Sequence, residues 1–429
     1  MGKRNFLGWS VVAGVALMPI VLWLIFRPSY YTFSSKLETI DALAKLCALA
    51  GISLLSFAII LSGRLKVFDR LFLGLDKMYR VHHTIGCLTL ILLLTHSGLL
   101  ILKFSLVSLP VGFDFLINYK QTPLLLGKIA LILMVSLLVF SMYFWINYQW
   151  FVRAMRMLGA VIFLASFHSF FVAGSDIRQI PTLFAYMVLI EFGALGIYTY
   201  RSIFHGAFTK KYKYEVIEVK PHGAVTEIWL KPQGPVMRRY AGQFAFITFK
   251  NHVAKEQHPF TISAGSDDNN LRFCIKKSGD FTSTLPALKP GDDAVLEGPY
   301  GQFSFTKVPH KKQVWVAGGI GITPFLSMAR SLPKSGYQVD LFWSVKTVSE
   351  AIFLNELHEA EKHLKNFRVH LYVTDKHGYL TAERIAQDLS LQRTDVLLCG
   401  PPPMMHSLSA QFQKLDISSK RIHYEEFSL

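Results

Sequence analysis

The sequence predicts a multi-domain membrane protein: a six-helix transmembrane bundle, then a small antiparallel β-barrel, then a doubly wound α/β domain. Three observations predict it. Apolar residues dominate up to about residue 203 and then give way to an ordinary soluble composition. Short β-like runs broken by turns follow the apolar half. From about residue 311, buried strand-like runs alternate with helical ones, the pattern of a doubly wound sheet. The 429 residues, 51% of them hydrophobic, are enough for two or three domains, divided as 1–204, 205–308 and 309–429.

Apolar runs of spanning length fall at about 6–26, 42–62, 81–102, 124–146, 154–174 and 181–200. Each is close to the ~20 residues that a helix needs to cross a bilayer. The first follows Lys3 and Arg4, but its apolar run is too long for a secretory signal and lacks a small-residue cleavage site, so it reads as a retained helix.

The formal charge of +16 raises the question of a nucleic-acid partner. The basic residues instead cluster where segments leave the membrane, which the positive-inside rule explains, and no nucleic acid is expected. Lys3 and Arg4, then Arg64, Lys66, Arg70, Lys77 and Arg80, then Arg153 and Arg156, then Lys210, Lys211 and Lys213 share one side. The opposite loops hold Arg27, Lys36, Lys103, Lys120 and Arg178, partly offset by acids. An integral, multi-pass protein of the cell membrane with both termini cytoplasmic is expected. The four cysteines, Cys47, Cys87, Cys274 and Cys399, are widely spaced and indicate neither a disulfide framework nor a zinc site.

The segment "RSIFHGAFTKKYKY" links the last span to the soluble half. Beyond it "YEVIEVK", "VTEIWLK", "QFAFITF", "PFTISA", "LRFCIKK" and "AVLEG" read as the strands of a small barrel. "QVWVAGG", "VDLFWSV", "FRVHLYV" and "DVLLCG" read as buried parallel strands, with "TPFLSMARSL" and "LNELHEAEKHL" as helices between them. In "VWVAGGIGITPFLSMA" a strand ends at Ala317, Gly318, Gly319 and Gly321 turn the chain, and a helix opens near Thr323 and Pro324. Glycines let backbone approach a pyrophosphate, and the helix start supplies free N–H groups with partial positive charge. A tight turn with no ligand has the same local signature.

The stretch "VHHTIGCLTLILLLTHSGLL" places His82, His83 and His96 in hydrocarbon, where polar side chains usually mark function. Fourteen positions separate His82 from His96, about four turns and ~21 Å of helix, so both rings leave one face. His168 lies deep in the fifth span, within "IFLASFHSFF". Glu191, in "YMVLIEFGALGIY", is the other intramembrane ionisable group, compatible with a proton path, a substrate-side acid or a buried acid paired with a neighbouring helix.

Around the glycine turn occur, in order, "QHPFTIS" (257–263), "KSGDFTSTL" (277–285), "LEGPYGQF" (296–303), "CGPPPMM" (399–405) and the tail "RIHYEEFSL". With six spans in front, the chain resembles the ferric reductase and NADPH oxidase superfamily over nearly its whole length. The resemblance implies that His258, Pro259, Phe260 and Thr261 contact the flavin of FAD, and that Gly279, Asp280, Phe281 and Thr282 contact its pyrophosphate. It implies that Gly318, Gly319, Gly321, Thr323 and Pro324 cradle a nicotinamide dinucleotide and that Cys399, Gly400 and Pro401 lie beside the nicotinamide. Phe427 matches the family's terminal aromatic over the flavin, although Ser428 and Leu429 follow it here. Each residue also has a plain structural reading: Cys399 as a core thiol, His258 as a loop residue, Phe427 as core. At the end of the second sheet strand, Ser344 and Lys346 favour NADPH, with Glu350 further on and NADH still possible.

The resemblance also implies haem b between the third and fifth spans, one or two groups. His96 pairs with His168 near the outer leaflet, His82 belongs to an inner haem, and His83 is a propionate or interfacial contact. The fourth histidine is missing: the positions thirteen and fourteen before His168 are Met155 and Ala154. Met155 as a ligand, a five-coordinate inner iron, and a single outer haem are all compatible with that departure. Electrons are expected to pass from cytoplasmic NADPH through FAD and haem to an outer acceptor, dioxygen giving superoxide or a ferric chelate. A single-haem flavocytochrome feeding quinone or a protein partner is an alternative, as is a non-catalytic haem-binding membrane module.

Overall fold

The computed structural model describes residues 3–29, 31–117, 120–143, 148–204, 210–250 and 256–425. The chain forms two compact units, one of residues 4–68 and 77–208, the other of residues 1–3, 69–76 and 209–429.

Among the described residues, six helices, lying almost wholly in the first unit, are long and apolar enough to cross a membrane. They are Lys3–Phe26, Lys36–Ser62, Leu75–Val107, Thr122–Tyr143, Tyr148–Phe171 and Pro181–Tyr198, the first to sixth spans below. The second starts six residues before the apolar run because Ser35 caps it, its hydroxyl accepting from the Glu38 amide at 3.2 Å. The third overshoots its apolar run at both ends, since a helix continues through the polar interface as long as its backbone bonds are made. A short helix, Leu109–Ile117, occupies the loop after it, where the sequence suggested only a connection. The second span is the most buried of the six, with 67% of its apolar window inside the protein, and so forms the centre of the bundle.

The second unit carries both soluble layers. Strands β1 (Lys211–His222), β2 (Val225–Pro232), β3 (Phe244–Phe249), β4 (His258–Thr261), β5 (Leu271–Lys276) and β6 (Asp293–Tyr300) pair antiparallel in the order β4-β3-β6-β1-β2-β5. A bridge between Ile262 and Phe273 joins the two edges, so the sheet curls on itself around Tyr214, Ile228, Phe249 and Phe273. Each of the six runs read as barrel strands is a strand.

Strands β7 (Lys312–Gly318), β8 (Gln338–Val345), β9 (Phe367–Val373), β10 (Asp395–Cys399) and β11 (Ile422–Glu425) form a parallel sheet in the order β11-β10-β7-β8-β9. Separate apolar clusters cover its two faces, one around Trp315, Phe325 and Trp343, the other around Val316, Leu398 and Phe412. That is the doubly wound arrangement. Strand β11 has no counterpart in the sequence reading: four residues with two polar or charged members at an edge give too short a hydrophobic signal.

Candidate functional site

Two regions carry the candidate chemistry. In the soluble unit the chain runs β7, β8, β9 outward, then returns to place β10 and β11 on the other side of β7. The switch in strand order therefore falls between β7 and β10, and open α/β sheets bind ligands outside the strand ends at that point. Cys399 pairs in register with Ala317, which puts "GGIGITP" and "CGPP" side by side.

The glycines there have a steric reason. Gly319 has φ +53°, a left-handed conformation that glycine adopts without strain. A Cβ on Gly321 would run into the carbonyl of Cys399, and one on Gly318 would lie 2.7 Å from the Met404 side chain and 2.8 Å from Pro401. A Cβ on Gly400 would lie 3.0 Å from the Gly318 Cα. The two turns thus touch backbone to backbone. The Trp343 indole fixes the first of them, donating to the Gly319 carbonyl at 2.9 Å. Thr323 and Pro324 open the helix Thr323–Arg330, with Pro324 in its first turn. Cys399 is fully buried in the apolar cluster, with its thiol among core residues. Lys346 is exposed just past β8, and Glu350 folds back to accept from its amide at 3.1 Å. Ser344 pairs in register with Gly318.

In the barrel, β4 holds His258, Pro259, Phe260 and Thr261 against β3. The rings of His258 and Phe281 lie 4.1 Å apart, and Phe260 stacks on Phe281 at 6.2 Å and 15°. His258 also meets the Glu256 carboxylate at 2.7 Å. Among the described residues, the buried Thr261 hydroxyl has no hydrogen-bond partner. An orphaned buried hydroxyl is costly, which suits a site completed by a polar ligand. Gly279 faces open space, and Thr282 ties the turn by accepting from the Ser278 and Gly279 amides at 2.8 and 3.0 Å, with exposed Asp280 between them. These residues fit a flavin dinucleotide. Phe427 lies outside the described residues; the chain leaves β11 at Glu425, paired with Cys399.

In the membrane unit three histidines share one device. Nδ1 of His82 lies 2.9 Å from the Ala58 carbonyl, Nδ1 of His96 lies 2.8 Å from that of Ala44, and Nδ1 of His168 lies 2.8 Å from that of Pro123. A helix carbonyl is normally spent within its helix, so each accepts a second bond here. An imidazole that donates through Nδ1 presents the lone pair of Nε2, the arrangement of metal-ligating histidines. The fourteen-residue interval of His82 and His96 is matched by Ala44 and Ala58 on the antiparallel second span. Sequence reading missed these carbonyls, although the two equal intervals were legible.

His96 and His168 line one cavity of about 760 Å³ within the bundle, inside the ~300–1,000 Å³ range of cofactor and ligand sites. Gly127 makes room for His168: a Cβ there would sit 2.6 Å from the imidazole Cγ and Nδ1. These residues fit a haem held by two imidazoles. His82 does not line that cavity, His83 is exposed, and Met155 is partly buried against the apolar core of the bundle.

Fold and site together define a membrane oxidoreductase with flavin- and nicotinamide-binding domains. Residues 47–167 match the ferric reductase like transmembrane component, residues 210–304 an FAD-binding domain and residues 315–410 an oxidoreductase NAD-binding domain. In that order they are the domain architecture of the ferric reductase and NADPH oxidase superfamily, and the chain carries it. Among curated relatives, the propane 2-monooxygenase reductase component of Mycolicibacterium goodii is 25% identical over 50% of this chain and 67% of its own. The glycine betaine monooxygenase reductase subunit of Pseudomonas aeruginosa is 31% identical over 43% of this chain and 55% of its own. A solved flavohemoglobin from Malassezia yamatoensis, with bound FAD and heme, aligns over 91% of this chain and 97% of its own. At a TM-score of 0.51 and 18% identity it is a likeness of fold alone.

Proposed function

We propose that this protein moves electrons from cytoplasmic NADPH across the cell membrane to an acceptor on the outer face, dioxygen or a ferric chelate. The observation that carries the reading is the pair His96 and His168, each fixed through Nδ1 to a carbonyl of a neighbouring helix and lining one cavity. Bound FAD would take hydride from the nicotinamide and release single electrons, and bound haem would carry them one at a time. The negative interior of a cell favours outward flow by ~2.3 kcal/mol per electron per 100 mV.

The chain's own residues bind and orient. Gly318, Gly319 and Gly321 admit the dinucleotide backbone beside Cys399, Gly400 and Pro401. Buried Cys399 sets the spacing of these turns through its carbonyl. Thr261, His258, Phe260 and Phe281 hold the flavin. Lys346 is the cation available to a 2′-phosphate, so Lys346→Glu is expected to lower the NADPH over NADH preference by about tenfold, each kcal/mol-scale contact being worth such a factor. One haem, between His96 and His168, is the minimum; a second at His82 is an outcome of the haem count.

The test is optical. Detergent-solubilised protein should show a Soret band, its flavin should bleach on addition of NADPH, and H96A and H168A should each lose the haem. A reconstituted preparation without a Soret band, or one whose haem content neither variant lowers, overturns the proposal. Oxygen uptake with and without superoxide dismutase and a ferric chelate separates the two acceptors.

A further inference from the structure

Glu191 is fully buried in the sixth span, with 0% exposure, and the reading above gives it no task. An acid inside a bilayer is expensive to keep, which makes it a candidate for function. Ser166 and Ser169 both face it, and the Ser169 hydroxyl lies 3.2 and 3.3 Å from the two carboxyl oxygens and 2.9 Å from the Ser166 carbonyl. One hydroxyl carries one proton. When Ser169 donates to the Ser166 carbonyl, the contact with Glu191 is closed by a proton on the acid, and when it turns to Glu191 that carbonyl is released.

The position of Ser169 gives this exchange a destination. Ser169 follows His168 in sequence and lines the same cavity. The Ser175 hydroxyl holds the Ser169 carbonyl at 2.7 Å, and Ser175 and Asp176 line the cavity as well. Asp176 is braced by Lys45 at 3.0 Å and by the Trp23 indole at 2.7 Å, so the cavity wall beside Ser169 carries charged and polar groups.

We infer that Glu191, acting through the hydroxyl of Ser169, is the proton donor to dioxygen reduced in the His96–His168 cavity, so that the product is hydrogen peroxide. The step balances: dioxygen takes two electrons and two protons to form peroxide. NADPH supplies the electron pair through flavin and haem, and the proton of its hydride is released on the flavin side. Both protons taken up at the cavity come from the medium, passing through Glu191 and Ser169. Without a proton at hand, the one-electron product leaves as superoxide. The inference rests on the electron-carrier reading above and replaces superoxide by peroxide as the product when oxygen is the acceptor. Reduction of a ferric chelate takes up no proton at the metal and gives Glu191 nothing to do.

The full chain is tested as wild type, E191Q and S169A. Haem per chain is counted first, which separates a failed cofactor site from a failed relay. E191Q keeps an acceptor of similar shape but loses the exchangeable acid proton, and S169A keeps the acid but removes the relay. In both, the ratio of superoxide to peroxide is expected to rise by at least about tenfold, a threshold set below the ~10²–10⁴-fold that a positioned proton donor contributes. Infrared difference spectra of the chemically reduced and oxidised protein give a readout independent of turnover. A carboxyl C=O signal should be present in wild type, shifted in S169A and absent in E191Q. The inference is overturned if E191Q with full haem content leaves the product ratio unchanged, or if wild type shows no such signal. It is also overturned if both variants lose their haem, which would make Glu191 a structural acid. Wild type that binds haem but is not reduced by NADPH would instead sink the electron-carrier reading.

Discussion

Single residues decide the membrane site through space as much as through chemistry. Gly127 lies against the His168 ring, and Gly98 on the third span faces nothing within 4 Å. Gly127→Ala is therefore expected to push the imidazole off the Pro123 carbonyl and lower haem content, while Gly98→Ala leaves it intact; absorbance per chain compares them. Gly321→Ala meets the Cys399 carbonyl, and backbone cannot yield as a side-chain tip can. A cost of roughly 1–3 kcal/mol is expected, as for overpacked cores, together with slowed NADPH bleaching of the flavin. Cys399 shows what sequence leaves undecided at this scale. Its motif was legible, but whether its thiol or its backbone faces the turn depends on packing, and the packing buries the thiol.

At the scale of elements, β10 and β11 are tied at their starts by Asp395. Its carboxylate accepts from the His310 amide at 2.7 Å and faces the rings of His310 at 2.9 Å and His423 at 3.0 Å. Burial pushes the Asp395 carboxyl up, but His423 and His310 outweigh it and hold it below its usual value. A carboxylate depressed in the folded state contributes stability that is complete above its ordinary titration near pH 4 and fades as pH falls through the lower folded value. Asp395→Asn is expected to cost about 2 kcal/mol at neutral pH, the scale of a broken buried charged hydrogen-bond set, and to flatten the acid limb of the melting curve. Strand β11 escaped sequence reading because its pattern is shorter than one alternation of an edge strand can signal. Its pairing partner, 26 residues earlier at Cys399 for Glu425, makes it a strand.

Across the soluble unit, one buried guanidinium joins the two layers. Arg272 of β5, with 3% of its side chain exposed, contacts Glu227 of β2 at 2.8 Å and Glu356 of the α/β layer at 2.7 Å. Burial raises the Glu227 carboxyl, and Arg272, with Trp229 and His222, more than reverses it. Arg272→Ala removes the guanidinium from buried Glu227, while Glu356 keeps Arg330 at 2.8 Å. A loss of about 3–5 kcal/mol is expected, seen as earlier release of flavin fluorescence on heating, with absorbance of the membrane half unchanged. Beside this network, burial pushes the Cys274 thiol up to about 12, so it stays protonated and packs as an apolar group.

What the sequence by itself determined is whatever local pattern can express. Six apolar lengths, the order of bundle, barrel and α/β layer, the glycine turn and the spacing of His82 and His96 all depend on neighbours within a few turns of chain. What only the tertiary structure decided is which distant groups meet. His96 finds the Ala44 carbonyl across 52 residues, His168 finds Pro123 across 45, and Ser169 finds Glu191 across 22. Periodicity carries no record of such pairs. They exist because a buried donor or acceptor in hydrocarbon has no water to turn to, and helix packing must bring it a partner.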